Sequence, residues 1–360
     1  MMRYSTLLLL TTATMLSGQS QTSQLIKRPS LQTGAIFKRW TTEANRKLDE
    51  FVVPLVVHVP VTERVSLSLL NTPTHAKLSG ADTSFSLTAF TDTRLSAAIV
   101  LGEERALLNL GVGIPSGPTT LNINETRVAQ EITAHALAMP TSYFGGGLEF
   151  SASLAAATEW GEWIIGGSLG GSYKGSYIPM AGSAKYLPGP EIYVSIGFDR
   201  PLGERSRIFG DIGYTWYGKD KRDGKNVFQA DGKINFSLAG IWAAEIWQLS
   251  AILENRFKRQ SPFALNSGLS VSYGNELDFS AELARQMNPQ SAWLISSALK
   301  FHSISTSGNG KALVASLGPG WRTNLSAKLQ MEIIARFAAG KLDDSRILGG
   351  EGNLGFVFQF

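Results

Sequence analysis

The chain has 360 residues, of which 43% are hydrophobic and only 17% charged, and its formal net charge is +4. A soluble domain carries about 25% charged residues, so this chain is short of the charge that a fully wetted surface requires. The absence of cysteine excludes disulfide frameworks, thiolate metal sites and cysteine nucleophiles, and the dispersed basic residues leave no nucleic-acid footprint.

Near the N-terminus, Arg3 precedes an apolar stretch over residues 7–16 (LLLLTTATML), followed by Ser17-Gly18-Gln19-Ser20. That is the order of a secretory signal, so residues 1–20 are expected to be a signal peptide, cut after Gly18 or Ser20, with 21–360 as the mature chain. The apolar run is shorter than the ~20 residues a spanning helix needs. No later stretch is a candidate helix span, so a mature chain that enters a membrane crosses as strands.

From about Thr33 onward the text alternates at strand period. Segments of strand length fall at 33–46, 49–59, 64–77, 83–101, 105–115, 143–158, 162–178, 189–200, 206–217, 231–243, 246–257, 263–273, 276–286, 290–303, 311–321, 324–338 and 349–360. In the clearest, Leu325, Ala327, Leu329, Met331, Ile333, Ala335 and Phe337 share one face and Ser326, Lys328, Gln330, Glu332 and Arg336 the other. Single-chain bacterial barrels have even strand numbers, so one of these segments is surplus. The reading is all-β: a transmembrane antiparallel up-and-down β-barrel of about 16 strands, with 14 as the alternative.

Two features favour lipid over a soluble sandwich. Trp160 and Trp163 flank Gly161-Glu162, Trp242 and Trp247 flank Ala243-Ala244-Glu245, and Trp321 precedes Arg322-Thr323-Asn324, as a membrane interface selects. The chain also ends on Gly355-Phe356-Val357-Phe358-Gln359-Phe360. This resembles the last strand of outer-membrane barrels, and the resemblance implies that Phe360 is recognised by the barrel insertion machinery.

One insertion interrupts the strands. Between Pro118 and Thr141 (118–141) a helix is expected over 126–139, capped by Asn124 and ended by Pro140, with Val128, Ile132, Ala136 and Met139 as an apolar stripe. Such a loop helix either narrows the barrel mouth or packs on the outer surface.

Chemistry is sparse. His58, His75, His135 and His302 are isolated, with no metal spacing, and no cofactor motif occurs. Barrel lipid hydrolases place His and Ser two apart on one strand, but Ile304 stands two after His302 and Ser303 faces the other way. The glycines at 145–147 and 166–171 lack a P-loop context and suit strand bends. The charged loop 218–226 reads as a hairpin tip that could reach lipopolysaccharide phosphates. The charges expected to face a lumen are Asp211, Glu254, Asp278, Glu282, Lys328, Glu332 and Arg336.

The run ALLNLGVGIPSG over 106–117, and Thr62-Glu63-Arg64 before Val65-Ser66-Leu67-Ser68-Leu69, resemble strands and loops of the phenol meta-pathway transporter type of outer-membrane protein and its hydrophobic-solute channel relatives. The Asn-Pro-Ala hatch motif of long-chain fatty-acid channels does not occur. The resemblance implies an outer-membrane channel that passes small apolar or amphipathic solutes passively, surrounded by outer-membrane lipids and lipopolysaccharide. The alternative is a structural or interaction barrel with a plugged lumen.

Overall fold

The computed structural model describes residues 28–43, 46–80, 82–133, 137–141, 144–258, 263–264, 273–305 and 311–360. The expected signal segment 1–20 and Ala136 lie outside the described residues. No described helix is long and apolar enough to cross a membrane.

Sixteen antiparallel strands close into a barrel. In chain order they are β1 (Ser30–Thr42), β2 (Lys47–Val52 continued by Leu55–Pro60), β3 (Val65–Asn71 continued by Pro73–Ser79), β4 (Ser84–Phe90 continued by Thr93–Leu101), β5 (Ala106–Ile114), β6 (Glu149–Trp160), β7 (Trp163–Lys174) and β8 (Glu191–Pro201). They continue as β9 (Arg207–Tyr217), β10 (Lys233–Ala244), β11 (Trp247–Lys258), β12 (Tyr273–Asn288), β13 (Ser291–Ser305), β14 (Lys311–Ser326), β15 (Leu329–Leu342) and β16 (Ser345–Gln359). Each strand pairs with the next, and β1 closes on β16 from Ser30↔Gln359 to Thr42↔Ile347. Closure leaves no edge whose N–H and C=O groups would lie bare in hydrocarbon.

The surplus segment is 263–273. Phe263–Ala264 is a separate short strand that pairs outside the wall with Phe228 and Gln229, Tyr273 already belongs to β12, and 265–272 lie outside the described residues. The segment 324–338 is corrected as well: it is two strands, because Ala327 and Lys328 form the turn between β14 and β15. A plain two-residue turn would swap the parity of the two faces, but a bulge between Asn324 and Ser326 restores it, so even-numbered residues face inward both before and after the hairpin.

The two faces of the wall differ sharply. Outward side chains include Leu169 at 59%, Ile196 at 58%, Leu317 at 58% and Phe337 at 78% exposure. A water-soluble protein would forfeit ~25 cal/mol per Å² over such a belt, so the belt faces lipid and the barrel is of outer-membrane type. The inward face carries the ion pairs described below.

Short turns gather at the end that holds Ser30 and Gln359, while 115–148, 175–190 and 218–232 project from the other. Barrels of this class keep short turns periplasmic and long loops extracellular, which orients the chain. Trp160, Trp163, Trp242, Trp247, Trp293 and Trp321 cluster near the periplasmic end. Trp293 and Trp321 meet edge-on at 5.1 Å, and Arg200 and Arg285 lie over Trp163 and Trp247. Paired cations and indoles suit the headgroup layer.

Outside the wall, Tyr186–Leu187, Lys219–Arg222, Lys225–Gln229 and Phe263–Ala264 form a small extracellular sheet. The Tyr186 hydroxyl donates to Asp220 there. Burial, then that carboxylate, raises the phenol well above its ordinary range.

Candidate functional site

The insertion between β5 and β6 folds into the mouth. Its helix, α1 (Ile123–Ile132), begins earlier and is shorter than the sequence spacing predicts. Asn122, not Asn124, is the cap: its side chain accepts from the N–H groups of Asn124 and Glu125 at 2.9 Å each. The Glu125 carboxylate accepts from the Asn122 N–H in return, completing a capping box. The helix stops where the Thr133 hydroxyl bonds back to the Ala129 carbonyl at 2.7 Å, and Ala138 then adopts a left-handed φ of 51°. Residues 134–136 are outside the description, so the stripe is placed by Val128, Ile132 and Met139, all buried.

What buries them is the wall. Val128, Ala129 and Ile132 share a core with Trp40 of β1, Leu48 of β2, Ala76 of β3 and Leu87 of β4, and the same core reaches Val314 of β14 and Ile347 of β16. A loop that touches strands on both sides of the β1–β16 seam lies in the concave face. Polar groups fix it there. Trp40 Nε1 donates to the Leu137 carbonyl at 2.9 Å, and Lys38 Nζ to the Ala138 carbonyl at 2.8 Å. The Thr141 N–H donates to Glu50 Oε1 at 3.1 Å, and the Thr141 hydroxyl pairs with that of Thr74 at 2.7 Å.

The stems are held by a bulge in β4. Leu70 pairs with Arg94 and Thr74 with Ala89, so β4 carries one extra residue there. Asp92 sits at this point and accepts from the N–H groups of Gly117 at 3.2 Å and Gly146 at 2.7 Å. Gly145 must be glycine for the stems to meet, because a Cβ would stand 2.1 Å from the Pro118 carbonyl oxygen. The glycines at 145–147 therefore serve a loop stem and not a strand bend.

Directly opposed residues share a face, so the register extends the inner surface from Lys38 around the barrel. Lys38 pairs with Glu351 at 3.3 Å, and Glu351 also binds Arg336. On the next arc, Arg322 bridges Glu282 at 2.9 Å and Glu332 at 2.6 Å. Arg256 contacts Glu254, Glu276 and Asp278 at 3.4–3.5 Å, Lys258 binds Glu276 at 2.9 Å, and Lys300 binds Asp278 at 3.2 Å. Beyond these come Arg207 with Asp199, Lys174 with Glu191 at 2.8 Å, and Arg94 with Glu149 at 3.8 Å. Charges of both signs thus line most of the inner circumference.

Of the expected lumen charges, Glu254, Asp278, Glu282, Glu332 and Arg336 all fall within this inner set. Asp211 is also inward on β9 and accepts from the Ser237 hydroxyl. Lys328 is not: it lies exposed in the periplasmic turn, displaced by the unrecognised hairpin. His302 is fully buried on the inner face of β13, with Nε2 3.8 Å from Asp278 Oδ1.

The sequence reading missed Lys38, Trp40, Glu50 and Asp92, which hold the loop, and Arg256, Lys258, Glu276, Lys300 and Arg322, which complete the charge belt. A parity signal for the second group was present, since Arg256 and Lys258 share a face with Glu254. For the loop anchors no local signal exists, because their partners lie across the fold.

No protein-family model matches the chain, and no curated protein matches it. Solved structures do. An outer-membrane channel from Pseudomonas putida F1 is 11% identical, with 92% of this chain and 96% of that one covered at a TM-score of 0.39. Pseudomonas aeruginosa OpdQ is 9% identical, with 92% and 99% covered at 0.46. An anion-selective porin from Comamonas acidovorans is 11% identical, with 92% and 98% covered at 0.45. At these identities the likeness concerns the fold alone.

Proposed function

We propose that the chain is a passive outer-membrane channel for small amphipathic solutes, narrowed at its extracellular mouth by the docked loop. The observation that carries this reading is the asymmetry of the inner face. The loop occupies the arc around the β1–β16 seam. The arc beyond it, from the Thr93–Leu101 half of β4 to β8, is lined by small polar side chains such as Ser96, Ser151, Ser153, Ser168 and Ser195, which leave room for passage. Fixed charges around that space set a transverse field that selects among solutes. Outer-membrane lipids and lipopolysaccharide surround the belt, and Phe360, exposed at the periplasmic end, serves the insertion machinery.

A second reading is an interaction barrel with a filled lumen. It is favoured by Ala284, Ala292, Leu294 and Ile334, which form a buried apolar cluster on the inner face toward the periplasmic end. Swelling of proteoliposomes in small neutral solutes separates the two. The channel reading expects solute-dependent swelling, and none from a correctly inserted barrel supports the filled one.

A further inference from the structure

One part of the inner wall has more cations than partners. Lys233 opens β10 and lies directly opposite Lys258 at the end of β11, with Arg256 one inward position below. Like charges directly opposed in a sheet are destabilising, so this pairing costs the fold stability. The neighbouring acids are already engaged by other cations, including Glu191, whose charge reaches Lys233 but which is held by Lys174 at 2.8 Å. Glu276 is bound by Lys258 and approached by Arg256, Asp278 is shared by Arg256 and Lys300, and Glu254 meets Arg256. Among the described residues no carboxylate lies within ion-pair distance of Lys233, which is half-buried and not fully solvated.

An aromatic surface adjoins these cations. Thr215 of β9 pairs with Lys233 on one side and with Tyr193 of β8 on the other, and the Tyr193 ring covers Gly170, where a Cβ would stand 2.5 Å from it. Tyr217 follows on the same inner face as Thr215, two residues toward the extracellular end. The Tyr193 ring leans over β7, and Tyr217 is the diagonal neighbour of Lys233 on the inner face at the extracellular entrance.

We propose that Lys233, Lys258 and Arg256 form an oxyanion-binding step at the lumen entrance, and that its ligands are small ring-bearing carboxylates. A carboxylate settling here meets two ammonium groups and a guanidinium, relieves the Lys233–Lys258 opposition, and lays its apolar body against Tyr217. This step rests on the channel reading for its place on a solute path, but its binding chemistry stands separately.

The test is calorimetric titration of sodium benzoate into the detergent-solubilised full-length barrel, with benzyl alcohol as the neutral probe. Lys233→Gln is the variant of choice, because removing Lys258 would also break its 2.9 Å ion pair with Glu276. Benzoate is expected to bind in preference to benzyl alcohol, and Lys233→Gln to weaken benzoate about fivefold. Lys221→Gln, on the extracellular hairpin, leaves benzoate affinity unchanged. Equal benzoate affinity in the parent and Lys233→Gln, or equal binding of the two probes, overturns the proposal. Bilayer conductance of the same preparations judges the channel reading independently: silent barrels that still bind benzoate through Lys233 would refute the channel and leave the site standing.

Discussion

The Trp40 indole N–H donates to the carbonyl of Leu137, 97 residues away, at 2.9 Å inside the barrel mouth. Trp40 is 2% exposed, and its ring lies over Gly349 of β16, where a Cβ would stand 2.5 Å from it. The bond therefore joins the seam of the barrel to the loop docked against it. Replacing Trp40 by Phe keeps most of the apolar ring but leaves the carbonyl unpartnered, at a cost of about 1–3 kcal/mol to docking. Limited proteolysis of the reconstituted barrel should then cut the segment between Pro118 and Thr141 faster, with the wall intact. Unchanged cleavage would mean that the polar anchors do not hold the loop.

Facing makes a second prediction. Phe337 looks outward near the middle of β15, whereas Met331 lies two residues from its periplasmic start. An arginine at Phe337 should cost roughly 2–4 kcal/mol and one at Met331 about 0–1, because the lipid penalty falls toward the interface. Denaturant titrations of folding into vesicles measure both. Equal penalties would argue against this placement of the hydrocarbon layer.

Arg322 gives the third. It holds Glu282 and Glu332 together on the inner face. Arg322→Gln leaves two acids facing each other and should destabilise the barrel by about 3–5 kcal/mol while shifting ion preference toward cations. Glu332→Gln should cost less, since Arg322 keeps Glu282, and should shift preference toward anions. Reversal potentials in a salt gradient read the sign, and shifts in the same direction for both variants would place these groups off the ion path.

The wall was legible in the sequence because a half-lipid, half-lumen strand writes its facing into every second residue, as in Leu277, Phe279 and Leu283 against Asp278 and Glu282. A turn whose flanking bulge keeps that parity was not, and Lys328 was misplaced for this reason. The helix start was readable from Asn122 and Glu125 as a capping box, but the nearer Asn124 competed for the same role. The docking of the loop could not be read, because Lys38, Trp40, Glu50 and Asp92 find their partners only once the barrel has closed. Sequence period also cannot tell a stripe on the inner wall from one on the outer surface.

The central claim is a passage narrowed by a docked loop, and single-channel recording in planar bilayers tests it most directly. The full chain should give discrete conductance steps, and a variant in which Pro118 is joined to Thr141 by a short linker should give larger ones, since α1 and its buried stripe no longer occupy the mouth. Steps of equal size in the two proteins, or none from either correctly inserted barrel, would contradict the account.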